Sequence, residues 1–181
     1  KNQQFNFRFN SFYIETYFKI FTNRISGFND VNFKGSIDTR NIALSVSAYI
    51  PYGKYDQYAA TGFQLDGKGD FDSLAITTNI KNIEISDSLN LPNSVINITS
   101  ANDHSIVSIN TSANSTLDDA ALLADLYTLE DGVRVQFKPS SFVLNEKLWS
   151  IEDKGELIVR RNLLRANNLK FSQGDFQEIA V

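Results

Sequence analysis

The chain contains no cysteine, no methionine and only one histidine. The absence of cysteine excludes disulfides, thiolate metal sites and a cysteine nucleophile. The lone histidine, His104, leaves no histidine pair for zinc and lies in a polar turn sequence. The acidic run "DGKGDFD" (66–72) lacks the terminal glutamate and spacing of a calcium loop and reads better as a hairpin turn. With no Gly-x-Ser-x-Gly motif or phosphate-binding glycine loop, we expect no metal, no cofactor and no enzymatic activity.

A basic surface and a membrane-spanning run are missing as well. The chain has 17 Lys and Arg against 21 Asp and Glu, so its net charge of -4 disfavours a nucleic-acid partner. No signal peptide and no apolar run of membrane-spanning length is present. The sequence opens at Lys1 and contains no initiator methionine. We therefore interpret residues 1–181 as a single β-rich domain from a longer protein, whose targeting and anchoring signals lie elsewhere.

Alternation of apolar and polar residues dominates the sequence. In "NIALSVSAYI" (41–50) the apolar residues share one parity, and "FNFRF" (5–9) and "VNFKGSI" (31–37) repeat the pattern. This is the period of a strand with one dry and one wet face. Frequent Gly, Asn and Asp turns between these runs favour an antiparallel all-β fold. Further strands are predicted at 63–66, 71–80, 82–86, 94–99, 105–111, 120–129, 133–138, 141–145, 148–152, 155–161, 168–173 and 176–181.

Two segments carry a helical signal. Residues 13–24 place Ile14, Tyr17, Phe18 and Phe21 on one helical face, which predicts a short helix near the N-terminus. Residues 115–129 are rich in Ala and Leu, which favours a helix, but they also alternate and lead through "EDG" into "VRVQF". For 115–129 we favour a strand.

The apolar strand faces have almost no amphipathic helix to cover them. Because a sheet must bury its apolar face against another layer, four arrangements remain open. These are a sandwich, a closed barrel, a sheet curled onto itself, and a sheet whose groove holds a ligand. The alternation alone favours a closed core over a groove.

Three stretches carry a resemblance to a known family. They are "FQLDGKGDFDSLAITTNIKNIEISDSLNLP" (63–92), "LEDGVRVQFKPSSFVLNEKLWSI" (129–151) and "GELIVRRNLLRANNLKFSQGDFQEIAV" (155–181). In the second, Pro139 lacks a ladder donor and predicts a strand–corner–strand unit that ends on the only tryptophan, Trp149. The chain resembles the periplasmic β-rich part of TamB-type translocation and assembly proteins of the Bacteroidota, related to AsmA-like bridge-like lipid-transfer proteins. The resemblance is clear over roughly 60–181 and weaker over 1–59.

The resemblance implies an elongated, curled antiparallel sheet, the β-taco, with an apolar concave face. It implies a periplasmic location in a protein anchored in the inner membrane, with phospholipid acyl chains and an Omp85-type outer-membrane barrel protein as partners. The implied function is to carry phospholipid along the groove and to support outer-membrane biogenesis. One alternative is a chaperone-like module for outer-membrane protein assembly or secretion, which binds client β-strands. Another is an extracellular β-sandwich for adhesion or carbohydrate binding.

The residues expected to line this groove are the apolar members of the alternating runs. With the resemblance, a groove is favoured over a closed core, although a register slip of one residue would exchange the two faces. The predicted groove-lining residues are Ile42, Leu44, Val46, Leu74, Ile76, Ile83, Ile85, Ile96, Ile98, Val133, Val135, Phe137, Phe142, Leu144, Trp149, Ile151, Leu157, Val159, Leu169 and Phe171.

Overall fold

The computed structural model describes residues 3–86, 89–112, 117–144, 146–174 and 177–180. These residues form one short helix and sixteen strands. In chain order the elements are β1 (Gln4–Ser11), α1 (Glu15–Phe21), β2 (Ile25–Gly27), β3 (Val31–Asp38), β4 (Ala43–Tyr55), β5 (Tyr58–Gly69), β6 (Ser73–Ser86), β7 (Leu89–Ala101), β8 (His104–Thr111), β9 (Leu117–Leu129), β10 (Gly132–Phe137), β11 (Ser140–Leu144), β12 (Lys147–Ile151), β13 (Glu156–Arg160), β14 (Leu163–Asn167), β15 (Lys170–Gln173) and β16 (Gln177–Ala180).

The strands belong to one antiparallel hydrogen-bonded sheet. Its main path runs β1-β3-β4-β5-β6-β7-β8-β9-β11-β12-β15-β16 and does not return to β1 among the described strands. β2 pairs with β4, and β10 pairs with β9 and β13, which in turn pairs with β14. The predicted all-β class, the antiparallel pairing and the short helix near the N-terminus are confirmed. The strand predicted within 115–129 is β9, and its residues 115 and 116 lie outside the described residues.

Several predicted element bounds differ from the structure. The separate strands predicted at 71–80 and 82–86 are one strand, β6. Ile42 was placed in a strand, but it lies in the turn before β4 with a φ of 52°, a value that a strand does not allow. The short strand β2 and the strand β14 were not predicted. β14 begins with two adjacent leucines, Leu163 and Leu164, which break the alternation on which the prediction depended.

Helix α1 packs beside β2 through few contacts. The Glu15 carboxylate accepts a hydrogen bond from the Gly27 backbone N–H at 2.9 Å, and so satisfies a donor at the edge of β2. The Phe18 ring meets the Phe28 ring edge-on, with centroids 5.8 Å apart. The rest of the apolar helix face is open, since Phe21 is 85% exposed. The helix therefore covers the edge of β2 and leaves most of its own apolar surface in water.

The chain divides into two compact units, unit 1 (Lys1–Val95) and unit 2 (Ile96–Val181). In unit 1 the register aligns Phe7, Gly35, Val46, Gly67 and Ile76 as successive partners across β1, β3, β4, β5 and β6. Directly paired residues project to the same side of a sheet, so these five share one face. This surface, with the two rows on either side of it, is the apolar face of unit 1. The flanking rows are Phe5, Ile37, Leu44, Gly69 and Leu74, and Phe9, Phe33, Ala48, Leu65 and Thr78.

The opposite face of the same strands is polar. Residues of the other parity form two aligned rows there, which we call the polar face of unit 1. The first row is Asn6, Ser36, Ser45 and Lys68, and the second is Arg8, Lys34, Ser47 and Asp66. Once the strands are in register, the alternating apolar and polar residues of the sequence thus lie on opposite faces of the sheet.

A row of irregularities crosses β4, β5 and β6. The ladders are continuous except at Pro51, Gly62 and Lys81, which would be direct partners. Pro51 has no backbone N–H to donate, and Gly62 has a φ of +64°, which favours glycine. On one side of this row the less exposed isoleucines of β6 are Ile76 and Ile80, at even positions, and on the other side they are Ile83 and Ile85, at odd positions. The register is the same on both sides, so the row interrupts the pairing without inserting a residue.

Unit 2 repeats the separation of faces. The register aligns Ser105, Leu126, Val135, Leu157 and Ala166 across β8, β9, β10, β13 and β14. We call this side the apolar face of unit 2. It also carries Val107, Ala124, Phe137, Thr128, Val133, Val159, Leu164, Ala120, Phe142, Trp149, Ile151 and Phe171.

Pro139 interrupts what would otherwise be one long strand. β10 ends at Phe137 and β11 begins at Ser140, and the two pair with successive halves of β9. The Ser140 hydroxyl accepts a hydrogen bond from the Leu123 N–H at 2.9 Å and donates to the Lys138 carbonyl at 2.8 Å. The hydroxyl thus gives the Leu123 N–H an acceptor at the point where the ladder is broken. The predicted strand–corner–strand unit at Pro139 is confirmed.

Candidate functional site

The described residues of unit 1 form no second layer over the apolar face of that unit. Among the described residues of that unit, the substantial contacts join hydrogen-bonded strand neighbours, apart from α1 against β2. Phe5 and Phe9 are 62% and 49% exposed as a result. Contiguous apolar surface open to water is typical of a binding surface rather than of ordinary protein exterior.

The apolar face of unit 2 carries an aromatic cluster on β11, β12 and β15. The rings of Phe142 and Trp149 lie nearly parallel, with an interplanar angle of 7° and centroids 6.5 Å apart. Phe171 meets Phe142 edge-on at 6.3 Å. Within this unit too, the substantial contacts among described residues join strand neighbours. The cluster is therefore packed sideways along the sheet, with no layer of the unit above it.

The structure places most of the predicted groove-lining residues of unit 1 together. Leu44, Val46, Leu74 and Ile76 share the apolar face. Ile83 and Ile85 are partly buried positions of β6 beyond the irregular row, at the changed parity. Ile42 is the exception, since it lies in a turn and is 49% exposed. Whether these residues contact lipid stays a prediction.

In unit 2, most of the predicted groove-lining residues lie on the apolar face that the strand register defines. That face includes Val133, Val135, Phe137, Phe142, Trp149, Ile151, Leu157, Val159 and Phe171. Leu169 lies just before β15 and packs over Gly155. Ile96 and Ile98 are partly buried in β7. Leu144 belongs to β11, but its side chain lies outside the described residues.

The prediction missed the contribution of β1 and β3. Phe7 lies over Gly35, because a Cβ at that glycine would collide with the Phe7 ring. Val46 lies over Gly67 in the same way. The alternating phenylalanines of "FNFRF" were visible in the sequence. The glycines could be recognised as part of the face only once the register paired them with large side chains.

The predicted groove-lining residues do not form a closed core. The buried apolar side chains among the described residues are Ala59, Ile80, Ala120, Ala124 and Ile151. Of these, Ile151, at 5% exposure, is the only predicted groove-lining residue. The other predicted residues with described side chains are partly or largely accessible, whereas large apolar residues in a closed core are usually fully buried.

A concave pocket of about 650 Å³ lies in unit 1, on the side away from the apolar face. Its walls are the two rows of the polar face, with Arg8 and Lys34 in one row and Lys68 in the other. The central row between them, Phe7, Gly35, Val46 and Gly67, also lines the pocket. We call this pocket the trough. The flanking rows of the apolar face do not line it, so it opens on the polar face.

A charged cluster occupies the opposite face of unit 2 from Leu126 and Val135. Asp125 is 7% exposed, and its carboxylate binds His104 Nε2 at 3.0 Å and Lys138 Nζ at 2.8 Å. The Lys138 ammonium, and secondly the His104 ring, hold the pKa of Asp125 below its ordinary value, against the opposing effect of burial. The His104 ring also stacks on Tyr127 at 4.8 Å, and the Arg134 guanidinium lies 4.5 Å from the Tyr127 ring. His104 is thus a strand residue with a buried partner, although a plain surface turn was expected.

The acidic run at 66–72 is a hairpin turn, as predicted. One Asp70 carboxylate oxygen accepts hydrogen bonds from the backbone N–H groups of Asp72 and Ser73, at 2.9 and 2.7 Å. These donors, that of Asp72 most strongly, hold the pKa of Asp70 below its ordinary value. β5 continues through Gly69, so the turn is shorter than the sequence indicated. The Asp70 carboxylate thus holds the backbone of this turn in place.

The described residues contain no group of three or more His, Asp or Glu side chains placed to hold a metal ion. Within the same part of the chain, no helix has the length and apolar character needed to span a membrane. No family model, curated protein or solved structure matches this chain.

Proposed function

We propose that this chain holds phospholipid acyl chains on its apolar faces, as a periplasmic segment of a bridge that moves lipid between the inner and outer membranes. The observation that carries the proposal is the pair of apolar faces, each without a covering layer from its own unit. Exposed large side chains such as Phe5 and Val159 would otherwise be left in water. An apolar ligand would remove that cost.

Acyl chains fit these faces better than a ligand with polar groups. The aligned row Phe7, Gly35, Val46, Gly67 and Ile76 offers no polar side chain that could orient a ligand. Each methylene transferred to such a surface contributes about 0.8 kcal/mol. A long acyl chain is thus held by many equal, weak contacts. It can move along the face without breaking any single strong interaction.

The setting of the proposal comes from the resemblance to TamB-type proteins. That resemblance supports the periplasmic location, the inner-membrane anchor outside this segment and the Omp85-type barrel partner. It also motivates the main competing function, which is binding of client strands during outer-membrane protein assembly or secretion. The two functions differ in what touches the apolar faces.

Site-specific photo-crosslinking in cells separates these functions. A photoreactive amino acid is placed at Val46 or Val135, on the apolar faces, and in matched controls at Ser47 or Gln136, the next residue in each strand. Because neighbouring residues project to opposite faces, we expect phospholipid adducts at the two valines and background signal at the controls. Mass spectrometry of the adducts identifies the lipid.

Other results would count against lipid binding. Equal adducts at Val135 and Gln136, or none at either valine, would contradict the proposal. Adducts between the valine positions and nascent outer-membrane proteins, without lipid, would instead favour the chaperone-like function. Adducts between two copies of this chain would indicate that the apolar faces cover each other.

A further inference from the structure

The trough on the polar face of unit 1 concentrates positive charge in an acidic protein. Its walls carry Arg8, Lys34 and Lys68 against one acidic residue, Asp66, whereas the whole chain has a net charge of -4. We propose that the trough binds a phosphate group, either as a phospholipid headgroup or as a soluble phosphate ester. The proposal concerns the face opposite the acyl-chain surface and does not rest on that function.

The shape of the trough suits a small polar ligand. Its volume of about 650 Å³ is within the usual range for ligand pockets, roughly 300–1,000 Å³. The pleated strands β1, β3, β4 and β5 form the floor, and side chains of two adjacent rows form the walls. Between the rows, Phe7, Gly35, Val46 and Gly67 also line the trough. Because the side-chain positions of this central row belong to the opposite face, these residues present backbone to the trough.

The cations of the trough form no ion pair with any of the described residues. Arg8 lies directly opposite Lys34 in the register, an arrangement of like charges that destabilises a sheet. Among the described residues, no carboxylate lies within ion-pair distance of Arg8, Lys34 or Lys68. Asp66 accepts a hydrogen bond from Gln64 Nε2 at 3.3 Å and joins no ion pair. A bound anion would relieve the repulsion between Arg8 and Lys34.

The other wall residues favour phosphate over a simple carboxylate. Ser36, Ser45 and Ser47 line the trough beside the cations, and the Ser36 and Ser45 hydroxyls lie 2.7 Å apart. A phosphate group has several oxygens that can accept from hydroxyl, ammonium and guanidinium donors at once. The Arg8 guanidinium supports bidentate recognition, while lysine acts as a point charge. Three cations and a row of hydroxyls therefore match a phosphate with a hydroxylated backbone such as glycerol.

The experiment measures binding of defined probes to the purified chain. Calorimetry is performed with inorganic phosphate and with glycerol 3-phosphate, and co-sedimentation with vesicles of phosphatidylglycerol or of phosphatidylcholine. Lys34→Gln and Lys68→Gln each remove one cation from an exposed position of the trough. Arg40→Gln is the matched control, because it removes one exposed positive charge from the turn after β3. We expect each trough variant to weaken binding by roughly tenfold at low salt, and the control by less than about twofold.

The pattern across probes identifies the source of the phosphate. Binding of the soluble phosphates that falls in both trough variants supports a soluble ester. Binding only to phosphatidylglycerol vesicles, with the same dependence on Lys34 and Lys68, supports a lipid headgroup. Binding that is equal in the wild type, the trough variants and Arg40→Gln would overturn the proposal, as would no binding to any probe. Circular dichroism of each variant confirms that the sheet is intact, and lipid adducts at Val135, which lies in unit 2 away from the trough, test the acyl-chain function separately.

Discussion

At the scale of single residues, Asp125 of unit 2 is a buried carboxylate with two charged or polar partners. Its buried carboxylate joins His104 of β8 to Lys138 at the end of β10. We predict that Asp125→Asn lowers the free energy of unfolding by about 1–3 kcal/mol, because it removes two charge-assisted hydrogen bonds at a buried position. Urea unfolding at neutral pH measures this loss. Asp131→Asn is the control, since its ion pair with Arg160 is exposed and is worth at most about 1 kcal/mol.

The pH dependence of the same residue follows from the direction of its pKa shift. The pKa of Asp125 in the folded chain lies below its unfolded value of about 3.8, chiefly because Lys138 stabilises the charged form. Its stabilising contribution is therefore complete above the unfolded pKa and is lost as the pH falls through the folded pKa. We predict that the stability difference between wild type and Asp125→Asn shrinks as the pH falls from about 5 to below 4. A difference that grew over this range would contradict this account.

At the scale of elements, the break between β10 and β11 depends on one hydroxyl. Ser140 is 7% exposed and accepts from the Leu123 N–H at 2.9 Å. We predict that Ser140→Ala costs about 1–3 kcal/mol in the free energy of unfolding, because that N–H would remain buried without a partner. Ser141→Ala is the matched control. The Ser141 hydroxyl forms no hydrogen bond within the described residues, so its removal should change stability by less than about 0.5 kcal/mol. Equal effects of the two substitutions in thermal unfolding would show that the hydroxyl does not support the break.

The elements themselves were predicted from local signals, and the failures have local causes. Alternation identified most strands, and Pro139 identified a break, because both depend on neighbouring residues only. β14 was missed where Leu163 and Leu164 interrupt the alternation. The interruption at Gly62 was missed because it involves three aligned strands, and the sequence of a single strand does not reveal how it aligns with its neighbours.

At the scale of the whole molecule, the apolar faces could be predicted from the sequence and the trough could not, because only the trough depends on how different strands align. The members of the apolar faces were predictable because parity within a strand selects them, and Val133, Val135 and Phe137 show this in β10. The trough could not be predicted. Arg8 and Lys34 are far apart in the sequence and meet only through the pairing of β1 with β3. In the sequence of either strand alone, the residue looks like an ordinary solvent-exposed side chain.

The single tryptophan gives a test of the apolar surface in the intact chain. Trp149 lies on the apolar face of unit 2, whereas the adjacent Leu148 projects from the opposite face and is 62% exposed. We predict that phosphatidylcholine brominated on its acyl chains quenches Trp149 fluorescence and shifts its emission to shorter wavelength, because bromine quenches only on contact and the indole leaves water. In the double variant Trp149→Phe/Leu148→Trp the probe moves to the other face, and we expect little quenching. This zwitterionic lipid carries no net charge, so attraction of an anion to the trough does not contribute.

Three alternative outcomes of this titration have distinct meanings. Equal quenching of the two proteins would indicate general adsorption to the lipid and would contradict a face-specific site. No quenching in either protein, with the chain monomeric by sedimentation, would mean that the apolar faces do not take up acyl chains. No quenching together with a dimer would mean that a second copy covers the surface, since burying two such faces against each other removes the same apolar area from water. Only quenching confined to Trp149 is consistent with a sheet whose exposed apolar side chains exist to be covered by lipid.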